Sequence, residues 1–269
     1  MRESDSATLM TEGSIWKKIT FFAVPIFLGN LFQQMYNTAD SLIVGNFLGS
    51  NALAAVSSSG NLIYLMIGFF NGIALGAGVV IARYFGARDQ ENVEKAVHTT
   101  VAFGIVASIV LTIVGVFFAP QILVWMQTPA NVMPESTEYF RVYFMGSAGF
   151  VMYNMFVGIL QAVGDSKHPL YYLILSSIIN VVLDIVFITV FDMGVGGAAF
   201  ATDISQVVSA VLCMIQLMRS KAEYRLNLRK IRFEWDIFKQ VIEFGLPSGF
   251  QYSIIAIANV VVQSNINSF

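Results

Sequence analysis

The chain has 269 residues, of which 56% are hydrophobic and only 12% are charged, and its formal net charge is −2. A soluble domain is roughly a quarter charged, so this composition excludes an ordinary soluble protein and predicts an integral membrane protein. Cys213 is the only cysteine in the sequence, which excludes a disulfide within the chain.

Six apolar segments are long enough to cross a membrane as helices, which takes about 20 residues each. These predicted spans are residues 19–44, 53–82, 96–118, 140–163, 169–190 and 197–218. A seventh segment begins near Gly245 and runs to the last residue, Phe269. Between the third and fourth spans, residues 120–134 are predicted to form a loop with a short interfacial helix. The predicted fold class is therefore all-α: a six-helix transmembrane bundle followed by a seventh, partial helix.

Lysine and arginine are concentrated in alternate loops, which predicts the side of the membrane that each loop faces. Of the 15 basic residues, all but Arg141 lie before the first span or after the second, fourth and sixth spans. The intervening loops contain none. We therefore expect a multi-pass protein of the plasma membrane whose N-terminus is cytoplasmic.

The start of the seventh segment resembles the start of the first. When Pro25 is aligned with Pro247, Asn37 meets Asn259. The two copies are separated by six helices, an even number, so they have the same orientation, as in transporters built from two parallel lobes. Chance similarity between apolar sequences is the alternative. The expected units are a six-helix lobe at 1–218, a cytoplasmic linker with an amphipathic helix at 219–240, and the first helix of a truncated second lobe at 241–269.

Three aspartates, Asp40, Asp184 and Asp203, lie deep inside apolar segments. Asp40 separates an uncharged run of 21 residues from another of 42. A carboxylate at this depth costs about 3 kcal/mol on insertion scales, so it normally marks an ion site or a transport pathway. In the predicted orientation all three aspartates lie in the outer half of the membrane. We therefore expect them to converge on an internal cavity that binds a cation.

Polar neighbours accompany two of these aspartates at helical spacing. In the first span, Tyr36 and Asn37 precede Asp40 by four and three residues, which places them on one helix face. In the fifth span, Asn180 precedes Asp184 by four residues. An amide oxygen beside a carboxylate suits Na⁺ or a stored proton. The alternative is that these groups form hydrogen bonds that join helices.

The fourth and sixth spans add further candidates. Ala198 and Thr202 share a face of the sixth span, so a backbone carbonyl and a hydroxyl are available to complete an oxygen shell. Asp203 points about 100° away from Thr202, and either serves the cavity or faces the outer interface. Asn154, deeper in the fourth span, is a better cavity candidate than Tyr139, which fits an interfacial anchor.

Other function classes lack the motifs that they require. The sequence has no phosphate-binding glycine loop with Lys-Ser/Thr, which argues against an ATP-driven pump. It has no Ser/His/Asp or metal-ligand grouping, so we expect neither an enzyme nor a bound cofactor. We expect no nucleic-acid partner for a chain with six membrane spans. A seven-helix receptor would have an external N-terminus, whereas the basic residues place this one inside.

Several motifs together resemble the multidrug and toxic compound extrusion (MATE) transporters, and the resemblance covers nearly the whole chain. The motifs are Pro25…Gln34-x-x-Asn37-x-x-Asp40…Gly45…Leu48-Gly49, Arg83-Tyr-Phe-Gly86-Ala87, Gln161-Ala-Val-Gly164-Asp165-Ser-Lys-His-Pro169 and Gly194-Val-Gly-Gly-Ala198-Ala-Phe-Ala-Thr202. The resemblance implies a twelve-helix antiporter made of two six-helix lobes. It also implies rocker-switch export of organic, usually cationic, compounds in exchange for H⁺ or Na⁺.

The resemblance also implies a site and its partners. The partners are a small organic substrate, the lipid bilayer and a second lobe, with no metal beyond possible Na⁺ at the coupling site. A lipid-linked oligosaccharide flippase of the same superfamily is the alternative, but it would be expected to need a cationic cavity for phosphate. Asp203 departs from the family pattern. The implied cation-coupling residues are Asp40, Asn180, Asp184 and Thr202, and the cavity-lining residues are Tyr36, Asn37, Tyr139, Asn154 and Asp203.

Overall fold

The computed structural model describes the backbone of residues 14–126 and 128–266, and the side chains of these residues except 58, 61, 62, 65 and those from 255 onward. These residues form helices and short connections, with no strand among them. The expected all-α membrane fold is therefore confirmed.

Within this range, the chain folds into eight α-helices. Five single helices contain stretches long and apolar enough to cross a membrane, and the bent pair α4–α5 adds a sixth when it is counted as one span. A π-helical turn, Val186–Val190, extends α6, and a 3₁₀ turn, Leu228–Lys230, lies between α7 and α8. The helices are α1 Ile15–Leu48, α2 Ser50–Gly86, α3 Gln90–Trp125, α4 Met133–Met145, α5 Ser147–Ala162, α6 Lys167–Ile185, α7 Gly194–Arg219 and α8 Trp235–Ile266.

The loop predicted at residues 120–134 is wrong over its first part, because α3 continues through Pro120 to Trp125. A proline inside a helix removes one backbone hydrogen bond and disfavours the helix. Here Ala119 and Leu123, four residues apart on one face, are both fully buried. Their packing offsets the hydrogen bond that Pro120 cannot donate, so the helix extends past the proline.

The fourth predicted span is two helices rather than one. The chain bends by 50° between α4 and α5, and Gly146 is the single residue between them. Glycine favours such a break because it has no side chain to restrict the backbone or to fill the inside of the bend.

The amphipathic stretch predicted in the linker forms the first turns of α8, which begins at Trp235, so residue 241 lies inside this helix. Pro247 lies inside α8 as Pro25 lies inside α1. The side chain of Asn259, which the sequence repeat pairs with Asn37, lies outside the described residues, as does Phe269.

Helix α8 packs closely along α2. A Cβ atom added to Gly72 would collide with the backbone of Gly249, and one added to Gly76 would collide with the backbone of Gly245. The two helices therefore approach each other through paired glycines, as small residues allow in membranes.

The interior of the bundle lies where α5 and α7 pack against each other and against α2, α4 and α6. Helix α1 packs on the outside of this group, mainly against α6. The C-terminal half of α1 therefore meets α6 and α7, and this meeting point contains Asp40 and Asp184, two of the three aspartates predicted to bind a cation. The largest fully buried side chains of the bundle include Phe140, Phe156, Ile159, Leu160 and Leu217.

Candidate functional site

Asp40 of α1 and Asp184 of α6 come together, as their common depth predicts. Their carboxyl groups lie side by side. Asp184 is fully buried and Asp40 is 9% exposed. Two carboxylates in contact repel each other strongly in a medium of low dielectric constant. The pair therefore requires a shared proton or a bound cation.

Two oxygen atoms of this pair can each still accept a hydrogen bond or coordinate a cation. Asp40 Oδ1 and Asp184 Oδ1 are buried, and neither has a hydrogen-bond partner among the residues that the structure describes. A buried acceptor without a partner costs about 1–3 kcal/mol, and more when it is charged. These two atoms are consequently the ones that a proton or a cation would stabilise most.

Asn180 connects the carboxyl pair to α7. Its Nδ2 donates to Thr202 Oγ1 at 3.3 Å. With the amide rotated, its nitrogen instead donates to Asp184 Oδ2 at 3.1 Å, and its oxygen accepts from the Thr202 N–H at 3.3 Å. The rotated orientation satisfies both ends of the amide, and the choice between the two depends on the hydrogen-bond network. In either orientation Asn180 lies between Asp184 and Thr202.

Tyr36 and Gln206 extend the cluster along α7. The half-buried Tyr36 places its hydroxyl beside the side chains of Thr202 and Gln206. Gln206 was not a sequence candidate, although it follows Thr202 by one helical turn. Its Oε1 is buried and lacks a hydrogen-bond partner among the described residues. The spacing of four residues from Thr202 was the signal that could have identified it.

Tyr139 belongs to the buried interior rather than to a membrane interface. It is 6% exposed and lies near Asp40. Its ring stacks on that of Tyr143, one turn further along α4, with 6.2 Å between ring centroids. Tyr143, which sequence reasoning missed, therefore forms part of the same wall.

The structure does not bring the other predicted residues into direct contact with the carboxyl pair. Asn37 is exposed on α1. Asn154 is half-buried, and its Nδ2 donates to the carbonyl oxygen of Phe150 in its own helix at 2.8 Å. Asp203 is buried on α7, but its carboxylate lies against Gly146 at the α4–α5 bend.

The cluster offers oxygen atoms rather than transition-metal ligands. No group of three or more His, Cys, Asp or Glu residues in the described part of the chain is arranged to hold a metal ion. Two carboxylates, an amide oxygen and a hydroxyl are the ligands that hard monovalent or divalent cations prefer. The arrangement can hold Na⁺ or exchange a proton.

The MatE family model matches residues 25–186, a range that contains Asp40, Asn180 and Asp184 and ends before Thr202. Over 263 residues the chain is 30% identical to "Probable multidrug resistance protein YoeA" of Bacillus subtilis (strain 168), covering 95% of this chain and 57% of that protein. It is 22% identical over 252 residues to "Multidrug export protein MepA" of Staphylococcus saprophyticus, covering 93% of this chain and 56% of that protein. The chain thus spans somewhat more than half the length of these relatives.

Solved structures show the same architecture. The chain is similar to the "Outward-facing conformation of a multidrug resistance MATE family transporter of the MOP superfamily", with a TM-score of 0.89 and 28% sequence identity. The similarity covers 98% of this chain and 58% of that one. Because the family model matches more than half of the chain and the helical membrane fold agrees with it, the chain belongs to the MATE (MatE) family of transporters.

Proposed function

We propose that this chain, together with a second lobe, forms a secondary antiporter that exports organic cations in exchange for H⁺ or Na⁺. The observation that carries the proposal is the buried Asp40–Asp184 pair, whose Oδ1 atoms have no hydrogen-bond partner among the described residues. The names of the relatives, which include a multidrug resistance protein and a multidrug export protein, support the same class of activity.

The coupling step follows from where the two carboxyl groups are attached. Asp40 lies on α1, which buries only Pro25, Asp40 and Val44 among its residues. Asp184 lies on α6, the helix against which α1 mainly packs. A cation between them draws α1 toward α6, and its loss leaves two like charges in contact. The cation therefore has different affinities for two positions of α1, which is the condition for driving a conformational change.

Pro25 provides a place where α1 can bend. A proline inside a helix leaves the carbonyl one turn earlier without its usual N–H donor. In the proposed cycle a cation enters from the outside and binds the pair. The outer part of α1 then moves relative to Pro25, substrate is displaced, and the carrier returns by a rocker-switch motion.

The charge of the cluster favours a cationic cargo. Its described members are acidic, amide or hydroxyl side chains and include no lysine or arginine. A flippase that carries a phosphate-linked sugar would be expected to require positive charge there. No observation on this chain favours that alternative. We further propose a plasma-membrane location with a cytoplasmic N-terminus, which fits the distribution of basic residues in the loops.

The decisive experiment replaces Asp40 by Asn in the complete two-lobe protein. In everted vesicles, Asp40→Asn should abolish dye transport driven by an imposed H⁺ or Na⁺ gradient, with insertion unchanged. Asp192→Asn is the matched control, because Asp192 is exposed and has a φ of 54°, a conformation that Asn tolerates. Full transport by Asp40→Asn would show the proposal to be wrong, and parallel gradients would distinguish H⁺ from Na⁺.

A further inference from the structure

Asp203 has a contact that the proposed coupling step does not use. A Cβ atom placed on Gly146 would overlap all three carboxyl atoms of Asp203, so the carboxylate occupies the space beside this glycine. Gly146 is the residue between α4 and α5, where the span bends by 50°. Its own N–H makes a long hydrogen bond of 3.4 Å to the carbonyl oxygen of Val142.

The carboxyl group of Asp203 lies at the start of a helix, where side-chain oxygen atoms are favourable. The first residues of a helix present N–H groups without partners and a partial positive charge, and a negative side chain is stabilised there. Gly146 has no side chain with which to cap α5 itself, and the structure records no side-chain cap there. Asp203 therefore brings, from α7, side-chain oxygen atoms to the start of α5, which has no side-chain cap of its own.

A second contact repeats this arrangement in the opposite direction. Glu138 of α4 places its carboxylate beside Gly196, in the first turn of α7, where a Cβ would meet Glu138 Oε1. Thus α7 places the Asp203 carboxyl group at Gly146, before α5, and α4 places the Glu138 carboxyl group at Gly196, near the start of α7. The pair of contacts fixes α7 relative to α4 and α5 at two points.

We propose that Asp203 is a positioning residue that fastens α7 to the α4–α5 bend, and thereby holds Thr202 against Asn180. Thr202 precedes Asp203 in the sequence, so a shift of α7 at Gly146 moves the Thr202 hydroxyl as well. This inference rests on the proposed function, since the place of Thr202 matters for transport only if the Asp40–Asp184 cluster couples a cation.

Two substitutions at Asp203 separate positioning from ion coupling. Asp203→Asn keeps the shape and an oxygen that faces Gly146, whereas Asp203→Ala removes both. We expect Asp203→Ala to raise the H⁺ or Na⁺ concentration for half-maximal efflux several-fold, and Asp203→Asn to restore it close to the parent value. If Asp203→Asn abolished efflux as Asp40→Asn is expected to do, Asp203 would be a coupling carboxylate and the inference would be wrong. The inference would also be wrong if efflux by Asp203→Ala were indistinguishable from that of the parent protein.

A double-mutant cycle tests the contact without any transport measurement. Gly146→Ala should lower the melting temperature of the purified protein when Asp203 is present, because the added methyl group takes the carboxylate's space. In the Asp203→Ala background, the same change should have little effect. Equal effects in both backgrounds would overturn the inference. The melting temperature does not depend on efflux, so this test of the contact can fail or succeed independently of the proposed function. The Asp40→Asn experiment tests the proposed function.

Discussion

Helices α1 and α7 contribute to the same cluster but are held in the bundle very differently. In α1, the buried residues are Pro25, Asp40 and Val44. In α7, buried residues recur along the helix from Val195 to Leu217. The difference indicates that α7 is a fixed wall of the site, whereas α1 buries few side chains, two of which lie at or next to the level of Asp40. The ion proposed to bind at Asp40 would therefore act on the more weakly held helix.

The largest effect should come from removing a side chain that packs α7 into the bundle. Leu217 is fully buried in α7, whereas Leu31 of α1 is 48% exposed. Leu217→Ala leaves a cavity and should lower the free energy of unfolding by about 2 kcal/mol or more. Leu31→Ala should lower it much less. Thermal unfolding of the two purified variants measures both, and equal losses would contradict the contrast between the helices.

The attachment of α1 at Asp40 can be tested by thiol labelling. Val44 is fully buried one turn after Asp40, so Val44→Cys should react slowly with a membrane-permeant thiol reagent. Adding Asp40→Ala should increase its labelling several-fold, because α1 loses its polar contact with α6. Native Cys213, which is buried in α7, is the internal control and should stay protected. Unchanged labelling at position 44 would show that apolar packing alone holds α1.

Loss of the Thr202 hydroxyl should have an intermediate effect on transport. Thr202→Val keeps the shape of the side chain and removes the hydroxyl oxygen, which accepts a hydrogen bond from Asn180 in the unrotated amide orientation. Such a bond contributes about 1 kcal/mol, so the apparent affinity for the coupling ion should fall about five-fold. Thr189→Val is the matched control, since the exposed Thr189 bonds only to its own helix, at the Ile185 carbonyl. The comparison requires efflux rates measured over a range of H⁺ or Na⁺ concentrations, and equal affinities in the two variants would exclude this role.

The smallest effect is expected at the start of α3, away from both α1 and α7. Asp89 accepts hydrogen bonds from the Asn92 side chain at 2.7 Å and from the Asn92 backbone N–H at 3.2 Å. These bonds lower the pKa of Asp89. A lowered pKa means that the stabilisation is fully present above the unfolded-state pKa of about 4 and is lost as the pH falls through the lower, folded-state value.

Asp89→Ala should consequently lower the melting temperature slightly at neutral pH. The difference from the parent protein should disappear in acid, below the folded-state pKa of Asp89. Ser14 at the start of α1 makes no side-chain cap hydrogen bond, so Ser14→Ala serves as the control and should change little at any pH. A difference for Asp89→Ala that persists in acid would contradict the cap.

The membrane fold was predictable because its main signal is local. An apolar run of about 20 residues needs a helix to satisfy its backbone in lipid, whatever its neighbours are. The break at Gly146 was not predictable in the same way, since the second span also contains several glycines and α2 remains one helix. A glycine permits a bend, but the groups that pack around it decide whether the bend occurs.

The candidate site was predictable in part for the same reason. Asp40 and Asp184 stand out in apolar sequence, and helical spacing adds Asn180 to Asp184. The role of Asp203 was not predictable, because its depth is the same as that of the other two aspartates. Only the packing of α7 against the α4–α5 bend directs its carboxylate toward Gly146.

By itself, the sequence determined that the chain crosses the membrane as helices and that carboxylates lie inside it. Both follow from the cost of placing polar groups in hydrocarbon, which depends on composition along the chain. The tertiary structure alone decided which carboxylates meet. Asp40 and Asp184 are in contact because α1 packs on α6, while Asp203 is turned by one helical step toward a different neighbour. Contacts between helices depend on shapes that come together from distant parts of the chain, and a local pattern of residues does not contain them.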